Sequence, residues 1–497
     1  MGGDQEGGRK LRDDGRDIII VSDLHLSSGY DPRTGTFDPL EDFFYDGAFG
    51  RFADHLIERS RRRPLRPVIL GDFLEFLQVD PPGAHELGDT SEEASVRKLE
   101  VIARGHPGVF EALGRFVSAG NPLDILPGNH DVELFWPGVR RKLRELVARH
   151  AAGADVERGI TFHPWFFYVP GVLYAEHGHQ YDANNAFLRQ LNPVLEKRPD
   201  RIELPLGSFF VLHWFNHIEE ADPFADNVKP ATRYLSWVLL NHPVRALVAL
   251  RHYPRFLART LRKAGNLDGH ELKRLRDEYR EEYVRPYARR LGLPERMLES
   301  LDRLAKDPTL ANRDLLYRSL LRMNLPVISA PVAGPAIYRI LKRYPERRPL
   351  LGFLLLTALM VWRDRELVRE GWRRILRAGR SPDYLRQASE ELDEHGFLFN
   401  AALRIHACLR RAGCGVPVYV MGHTHEAEQH PLERGSFPRY INSGTWTPIL
   451  PDTFDLLGER ERLSFVEILR GGNGSVESHL MVWNDDASRA DPFLDIG

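Results

Sequence analysis

The amino-acid sequence predicts a mixed α/β fold in which two β-sheets pack as a sandwich between flanking helices and carry a large helical insertion. From Asp17 to about Gln190, apolar runs of strand length alternate with stretches of helical periodicity, a pattern typical of layered β-α-β folds. Strand-like runs return near the C-terminus and end in a predicted hairpin that turns at Gly471–Gly474. Between these parts, residues 191–395 show helical periods broken by proline and no strand alternation.

Individual elements follow from the same patterns. Apolar periodicity predicts helices, and short apolar runs bounded by turn residues predict strands. The predicted elements, in order, are a helix over Phe43–Arg63, a strand over Val68–Leu70, a helix over Val109–Ala119, a strand over Leu123–Leu126, two strands within Val156–Ala175, and a strand and loop in RYINSGTW.

Bulk composition is that of an ordinary soluble protein with an ample core: 42% hydrophobic and 28% charged residues, and a net charge of −2. Such a charge argues neither for nor against a nucleic-acid partner. Two cysteines imply no disulfide framework and favour a reducing compartment. The first 16 residues are polar and lack the apolar stretch of a secretory signal, so we expect a disordered tail and a cytoplasmic protein.

Five short polar motifs follow strand-like runs: SDLHL at 22–26, GDFLEF at 71–76, GNHD at 128–131, EHGHQYD at 176–182 and GHTH at 422–425. Buried strands that end at a common rim would deliver their polar residues there. The motifs supply a set of oxygen and nitrogen donors without a thiolate, which suits one or two divalent transition ions. These candidate metal ligands are Asp23, His25, Asp72, Asn129, His177, His423 and His425.

The order of these motifs resembles that of the calcineurin-like metallophosphoesterase superfamily, whose signature is D-x-H, GD, GNH-[DE], a lone His and G-H-x-H. The resemblance covers roughly residues 17–190 and 400–485. It implies the two-sheet sandwich and two divalent ions, Mn²⁺ foremost, with Fe, Zn or Ni as alternatives. It also implies hydrolysis of a phosphoester or pyrophosphate by a metal-bridging hydroxide. Asp72 is the candidate bridging ligand; by resemblance, Asp23, His25 and His425 complete one metal position, and Asn129, His177 and His423 the other.

Three further residues are candidates for catalysis. His130 follows the ligand Asn129, and a histidine near neutral pKa is suited to protonate a leaving alkoxide. In related enzymes a carboxylate placed as Glu75 is often the group that orients this histidine; the alternative is a solvated loop acid. Asp131 is expected to act similarly.

Other polar residues near these motifs have less specific roles. His179, Asp182 and Asn184 either contact substrate or form local turn hydrogen bonds. Ser443 and Gly444 are expected to shape the site.

The motifs also set the predicted domain organisation. The last motif must return to the same rim, so the 191–395 insertion begins and ends near the metal site and is predicted to cap it. The predicted units are a 1–16 tail, core segments over 17–190 and 396–485, the 191–395 cap, and a 486–497 tail.

The cap carries a basic stretch, residues 227–267, with eight Lys or Arg and no Asp or Glu. Within it, Arg255, Arg259, Arg262 and Lys263 fall on one helical face, opposite Phe256, Leu257 and Leu261. Such a helix is able to lie on an anionic membrane; the alternative is that its apolar face packs inside the cap.

Four apolar stretches, 204–218, 234–244, 325–338 and 349–362, are too short to span a bilayer. GDFLEF and the HG-H-x-x-D arrangement are similar to bacterial UDP-2,3-diacylglucosamine pyrophosphatases, which implies a lipid-linked or nucleotide-linked substrate and peripheral attachment to the inner membrane face. Alternatives are a nuclease, for which stacking aromatics are sparse, and a non-catalytic binding scaffold, against which the complete ligand set argues.

Overall fold

The computed structural model describes residues 13–81, 88–153, 155–216, 252, 256–265, 267–317, 319, 396–435, 437–447, 463–472 and 474–493. Most of the predicted N-terminal tail and much of the predicted cap, including Arg255 and the apolar stretches at 234–244, 325–338 and 349–362, lie outside these residues.

Sixteen strands occur in the described part of the chain. In chain order they are β1 (Asp17–Val21), β2 (Tyr30–Asp31), β3 (Thr36–Phe37), β4 (Leu65–Leu70), β5 (Leu123–Leu126), β6 (Ile160–Phe162), β7 (Phe166–Val169), β8 (Leu173–Glu176), β9 (Val194–Leu195), β10 (Arg198–Ile202), β11 (Val418–Met421), β12 (Glu428–Pro431), β13 (Arg439–Asn442), β14 (Ser464–Arg470), β15 (Val476–Asn484) and β16 (Arg489–Pro492).

Two large sheets dominate the fold. The seven-stranded sheet has the order β16-β15-β14-β1-β4-β5-β6, and the five-stranded sheet has the order β12-β13-β11-β8-β7. Strands β1, β4, β5 and β6 run parallel, as do β8, β11 and β13. Within each sheet, the carboxyl ends of these parallel strands therefore share one edge.

The α-helices with both ends in the described residues are α1 (Asp46–Ser60), α2 (Glu92–Gly105), α3 (Pro107–Ser118), α4 (Pro137–Ala148), α5 (Val156–Gly159), α6 (Leu206–Phe210), α7 (Gly269–Tyr279), α8 (Arg285–Leu291), α9 (Glu295–Asp302) and α10 (Gly396–Arg411). Side chains near the N-termini of two of these helices cap the first turn. The Ser91 side chain accepts from the Ala94 amide at the start of α2, and Asp268 and Glu271 form a capping box at the start of α7.

Three buried clusters define the layers. One lies between the two large sheets and combines residues of both, such as Ile20 and Val68 with Val420 and Ile441. A second packs α1 to α4 onto the outer face of the seven-stranded sheet, and a third packs α8, α9 and α10 against the five-stranded sheet. The described core is thus a mixed α/β structure with helices outside two facing sheets.

Several predicted elements agree with the structure and others differ. The hairpin at Gly471–Gly474 is present as β14 and β15, and the helices predicted at 43–63 and 109–119 correspond to α1 and α3. The segment 156–175 holds a helical turn and three strands rather than two strands. Helices α2 and α4 were missed. The predicted 486–497 tail is wrong at 489–492, because β16 pairs with β15.

The insertion is not helical throughout. Residues 191–202 include the hairpin of β9 and β10, which a search for long alternating patterns misses because its strands have only two and five residues. The remaining described insertion residues are mainly helical.

The predicted basic face of the insertion also needs correction. Lys263 does not project into solvent with its neighbours: its ammonium lies 3.8 Å from the centroid of the Phe209 ring and donates to the Leu204 carbonyl. Phe256, on the predicted apolar face, is fully buried against Phe210. Arg259 and Arg262 are exposed. Among the described residues, no helix combines the length and apolarity needed to cross a membrane.

A buried ion cluster ties α1 to the end of α2. The His106 ring nitrogens lie 2.9 Å from an Asp46 carboxylate oxygen and 3.1 Å from one of Glu41. Burial opposes a charge on His106, but the two carboxylates outweigh it and raise its pKa to about 9.

The raised His106 pKa predicts pH-dependent stability. A histidine whose folded pKa exceeds its unfolded value of about 6.5 stabilises fully below that value, and the contribution is lost as pH rises toward 9. We expect the wild-type Tm to exceed that of His106→Gln by several degrees at pH 6, with most of the difference gone above pH 9. A difference in Tm that is constant across this range, measured by thermal unfolding, would contradict the assignment.

Candidate metal centre

The polar motifs all lie where strands end. Asp23 and His25 directly follow β1, Asp72 follows β4, and Asn129 follows β5. His177 directly follows β8, and the pair His423 and His425 follows β11. Because parallel strands in each sheet end at one edge, the two facing sheets bring these residues to a common rim.

The predicted ligands form two groups linked by Asp72. In the first group, His25 Nε2 lies 3.1 Å from His425 Nε2, and His425 Nε2 lies 3.4 Å from Asp23 Oδ1. In the second, the histidine and carboxylate donor atoms of Asp72, His177 and His423 lie within 4.8 Å of one another.

Asp72 lies between the groups. Its Oδ2 is 3.0 Å from His177 Nε2 and 3.9 Å from His25 Nε2. Both groups have the donor types and spacing to hold a cation, and Asp72 is placed to contribute to both.

Asn129 provides an independent sign of a missing partner. Its Oδ1 is buried and has no hydrogen-bond partner among the described residues, which is costly for a polar atom. The flanking residues contact Asp72: a Cβ on Gly128 would lie 2.1 Å from Asp72 Oδ1, and the His130 amide donates to the same oxygen at 2.8 Å. A cation shared with Asp72 would satisfy the Asn129 oxygen.

Five of the seven predicted ligands share a strained backbone conformation. Positive φ values occur at Asp23 (54°), His25 (51°), Asp72 (47°), His423 (71°) and His425 (63°). Among the described non-glycine residues, only Ser488 shares this conformation. Such strain concentrates at functional sites, where the surrounding structure over-determines it. The fold therefore holds these side chains in place at a conformational cost.

The glycines of the motifs leave room for neighbouring ligands. A Cβ on Gly71 would lie 2.5 Å from the His177 ring, and one on Gly422 would lie 2.5 Å from Asp23 Oδ2. Gly71 also has a φ of 89°. These glycines allow the motifs to approach one another closely, because a side chain at either position would collide with a predicted ligand.

Gly128→Ala should therefore disturb the metal centre without removing a ligand. The new methyl group would displace the Asp72 carboxylate, so we expect roughly 10- to 100-fold weaker Mn²⁺ binding, comparable to losing an outer-shell partner. Isothermal titration calorimetry measures this. Gly472→Ala is the control, because no atom lies within 4 Å of its Cβ. Unchanged affinity in Gly128→Ala would be evidence against the close packing described here.

Several hydrogen bonds hold Asp23 in position. Ser22 Oγ donates to Asp23 Oδ2 and lies 2.7 Å from Ser443 Oγ. Thr445 Oγ1 donates to the Asp23 carbonyl at 2.6 Å, and the His423 amide donates to the Asp23 carboxylate at 3.1 Å. Gly444, with a φ of 71°, completes the turn. Ser443 thus shapes the site through Asp23, whereas the role of Ser22 was not predicted although it is the first residue of the motif SDLHL.

Glu75 holds two histidines at once. Its Oε2 lies 2.9 Å from His25 Nδ1 and is also hydrogen-bonded to His130 Nδ1. The alternative of a solvated loop acid is wrong, because Glu75 is only 2% exposed. Burial opposes its ionisation, but the charge and hydrogen bond of His130 lower its pKa to about 2.

His130 sits beside the ligands at the open side of the cluster. Its side chain is 17% exposed, compared with 1% for His177 and 3% for His25. The His130 and His25 rings meet edge to face, with centroids 4.7 Å apart. Its position therefore differs from that of the deeply buried ligands.

Asp131 has a different placement from the one predicted. Its carboxylate accepts from the amides of Phe73 and Gly128, at 2.9 and 2.6 Å. Burial and the nearby Asp72 raise its pKa to about 7. These contacts make Asp131 a brace between the loops after β4 and β5.

The residues after His177 do not form one substrate surface. His179 is buried, and burial lowers its pKa well below the ordinary value. Asn184 Oδ1 accepts from Thr309 of the insertion. Asp182 accepts from the Asn184 amide and lies 3.7 Å from His423 Nε2. Burial opposes its ionisation, but the nearby His423 lowers its pKa.

The histidines around Asp72 favour its ionised form. Burial opposes ionisation of Asp72, but the charges of His177 and His130 lower its pKa well below the ordinary value. Burial likewise opposes a charge on His177, while Asp72 and Asp23 raise its pKa to about 9. Asp72 and His177 therefore favour each other's charged forms.

No protein-family model matches this chain, and a comparison with curated proteins finds no match.

Proposed function

We propose that the protein is a metal-dependent phosphoric ester hydrolase with a dinuclear centre, built in the manner of calcineurin-like metallophosphoesterases. The observation that carries this proposal is the convergence of six of the seven predicted ligands, from motifs spread over some 400 residues, into two groups linked by Asp72. The seventh, Asn129, has a buried oxygen without a hydrogen-bond partner among the described residues. Residues that served only as turn formers would not be expected to bring their side chains together in this way.

The layered core supports the same proposal. Two facing sheets with helices on their outer faces are the architecture that the motif order implies. The motifs occupy the strand ends in the expected order, with three from the larger sheet and two from the smaller.

The residues fit two divalent cations. Asp23, His25 and His425 would hold one, and Asn129, His177 and His423 the other, with Asp72 shared. The unpaired Asn129 oxygen and the absence of thiolates among these ligands agree with Mn²⁺, Fe, Zn or Ni. When bound, such a pair would lower the pKa of water and neutralise charge on a phosphoryl group.

The protein's own acid would be His130. Glu75 binds its Nδ1, so Nε2 is the nitrogen that would hold the proton given to the leaving oxygen. The same Glu75 oxygen orients the ligand His25. In this arrangement one buried carboxylate aligns the acid relative to the ligand set.

The substrate class extends the proposal. A lipid-linked or nucleotide-linked phosphoester delivered at an anionic membrane surface would use the exposed Arg259 and Arg262 of the insertion. Lys263 is not part of that surface, because it packs on Phe209.

Hydrolysis assays test the proposed function. The manganese-loaded protein would be assayed with nitrophenyl phosphate, bis-nitrophenyl phosphate, a UDP-linked lipid and an oligonucleotide. We expect turnover of at least one phosphoester that chelation abolishes and Mn²⁺ restores. Protein that binds two ions yet hydrolyses none of these would overturn the proposal in favour of a binding scaffold.

A further inference from the structure

The loop Asp182–Asn185 connects ligands that arrive from different strands. Asn129 Nδ2 lies 3.5 Å from Asn185 Oδ1, and Asn185 Nδ2 donates to Asp182 Oδ2 at 2.7 Å. The same Asp182 oxygen lies 3.7 Å from His423 Nε2. Asn129 and His423 both belong to the second predicted metal position, so one short loop contacts two of its ligands.

Residues of the insertion hold this loop from the other side. The Thr309 amide donates to the Ala183 carbonyl at 2.8 Å, and Thr309 Oγ1 donates to Asn184 Oδ1 at 3.0 Å. Ser319 Oγ donates to the same Asn184 oxygen at 2.8 Å. The strand-end motifs and the insertion therefore both contact the four residues Asp182–Asn185.

Helix α6 of the insertion adds a tight steric contact. The Gly207 amide donates to the Asn184 carbonyl at 2.8 Å. A Cβ on Gly207 would lie 2.0 Å from Asn185 Oδ1, so only glycine allows the Asn185 amide to remain between Asp182 and Asn129.

We propose that the insertion assembles the second metal position, by clamping the Asp182–Asn185 loop so that Asn185 and Asp182 orient the ligands Asn129 and His423. Asp182 and Asn185 are positioning residues in this arrangement. The insertion is then a structural requirement for binding the second ion and not only a cover. The inference rests on the proposed dinuclear centre.

The contact at Gly207 gives a test that changes no ligand. Mn²⁺ is titrated calorimetrically into metal-free full-length protein, as wild type and as Gly207→Ala, Asn185→Ala and Thr309→Val. Each variant should bind one ion with wild-type affinity and the other roughly 10- to 100-fold more weakly, the usual effect of losing an outer-shell partner.

Matched controls separate clamping from general damage. Gly269→Ala changes another insertion glycine, one with no atom within 4 Å of its Cβ, and should bind both ions normally. Thr309→Ser retains the hydroxyl and should preserve the second ion, whereas the similarly shaped Thr309→Val should not.

The outcomes are distinct. Wild-type binding of both ions by Gly207→Ala, Asn185→Ala and Thr309→Val would overturn the clamp while leaving the proposed function standing. Equal weakening of both ions in variants with wild-type circular dichroism would also overturn it, because the clamp acts on one position. Wild-type protein that binds no ion would overturn the proposed function and this inference together.

Discussion

Asp72→Asn is expected to abolish phosphoester hydrolysis, with a loss greater than the roughly 100-fold that follows removal of an outer-shell partner. Asp72 is the carboxylate that approaches both ligand groups, with Oδ2 at 3.0 Å from His177 and 3.9 Å from His25. Asparagine preserves the shape and removes the charge, so neither position would retain its shared anionic ligand.

Metal content separates this loss from unfolding. The Asp72→Asn protein should keep wild-type circular dichroism and bind fewer than two ions after reconstitution with Mn²⁺, as measured by elemental analysis. Asp17→Asn serves as the control and should bind two ions, because Asp17 is an equally buried carboxylate at the start of β1, the end of the strand opposite Asp23. Two tightly bound ions in Asp72→Asn would refute its assignment as the shared ligand.

His130→Ala should lower kcat by about 10²–10⁴, the range for loss of a general acid, while the metal content stays at the wild-type level. The reason is geometric: His130 is bound through Nδ1 to Glu75 and is more exposed than the ligand histidines around it.

Leaving-group dependence identifies the role of His130. Its loss should matter less for nitrophenyl esters than for alkyl esters, because a good leaving group needs no proton. His270→Ala, at an exposed histidine of α7, should leave kcat unchanged. If metal content falls in parallel with activity in His130→Ala, His130 is a ligand and not the acid.

The sequence was most informative where the candidate site residues and the strand ends coincide. Each predicted ligand follows an apolar run that forms a strand. Because few residues separate the end of the strand from the ligand, the position of the ligand in the fold follows closely from that of the strand. For that reason the sequence alone predicts that His423 and His425, some 400 residues after Asp23, lie at the same rim. The glycines of the motifs were visible too, although the ligand that each one accommodates was not.

Long-range hydrogen bonds were the part that sequence reasoning could not supply. Asp131 looked like a partner for a histidine, but its position in the tertiary structure directs it to the amides of Phe73 and Gly128. Asn185 was overlooked because its role depends on contacts with Asn129 and Gly207. The available signal in the sequence was that Asn185 lies three residues after Asp182, the last residue of the motif EHGHQYD.

Local periodicity also had limits in the insertion. The pattern placed Lys263 with the other basic residues of its helix, yet its long apolar stem allows it to fold onto Phe209. The position of a residue on a helix thus predicts the direction in which its side chain leaves the backbone. It does not predict where the charged end of a long side chain lies.

The number and position of bound ions test the central claim most directly. Metal-free protein would be reconstituted with Mn²⁺, analysed for metal content, and crystallised for anomalous diffraction. We predict two ions per chain, one beside Asp23, His25 and His425 and the other beside Asn129, His177 and His423, with Asp72 contacting both. Absence of bound transition metal, or ions bound elsewhere on the chain, would contradict the account.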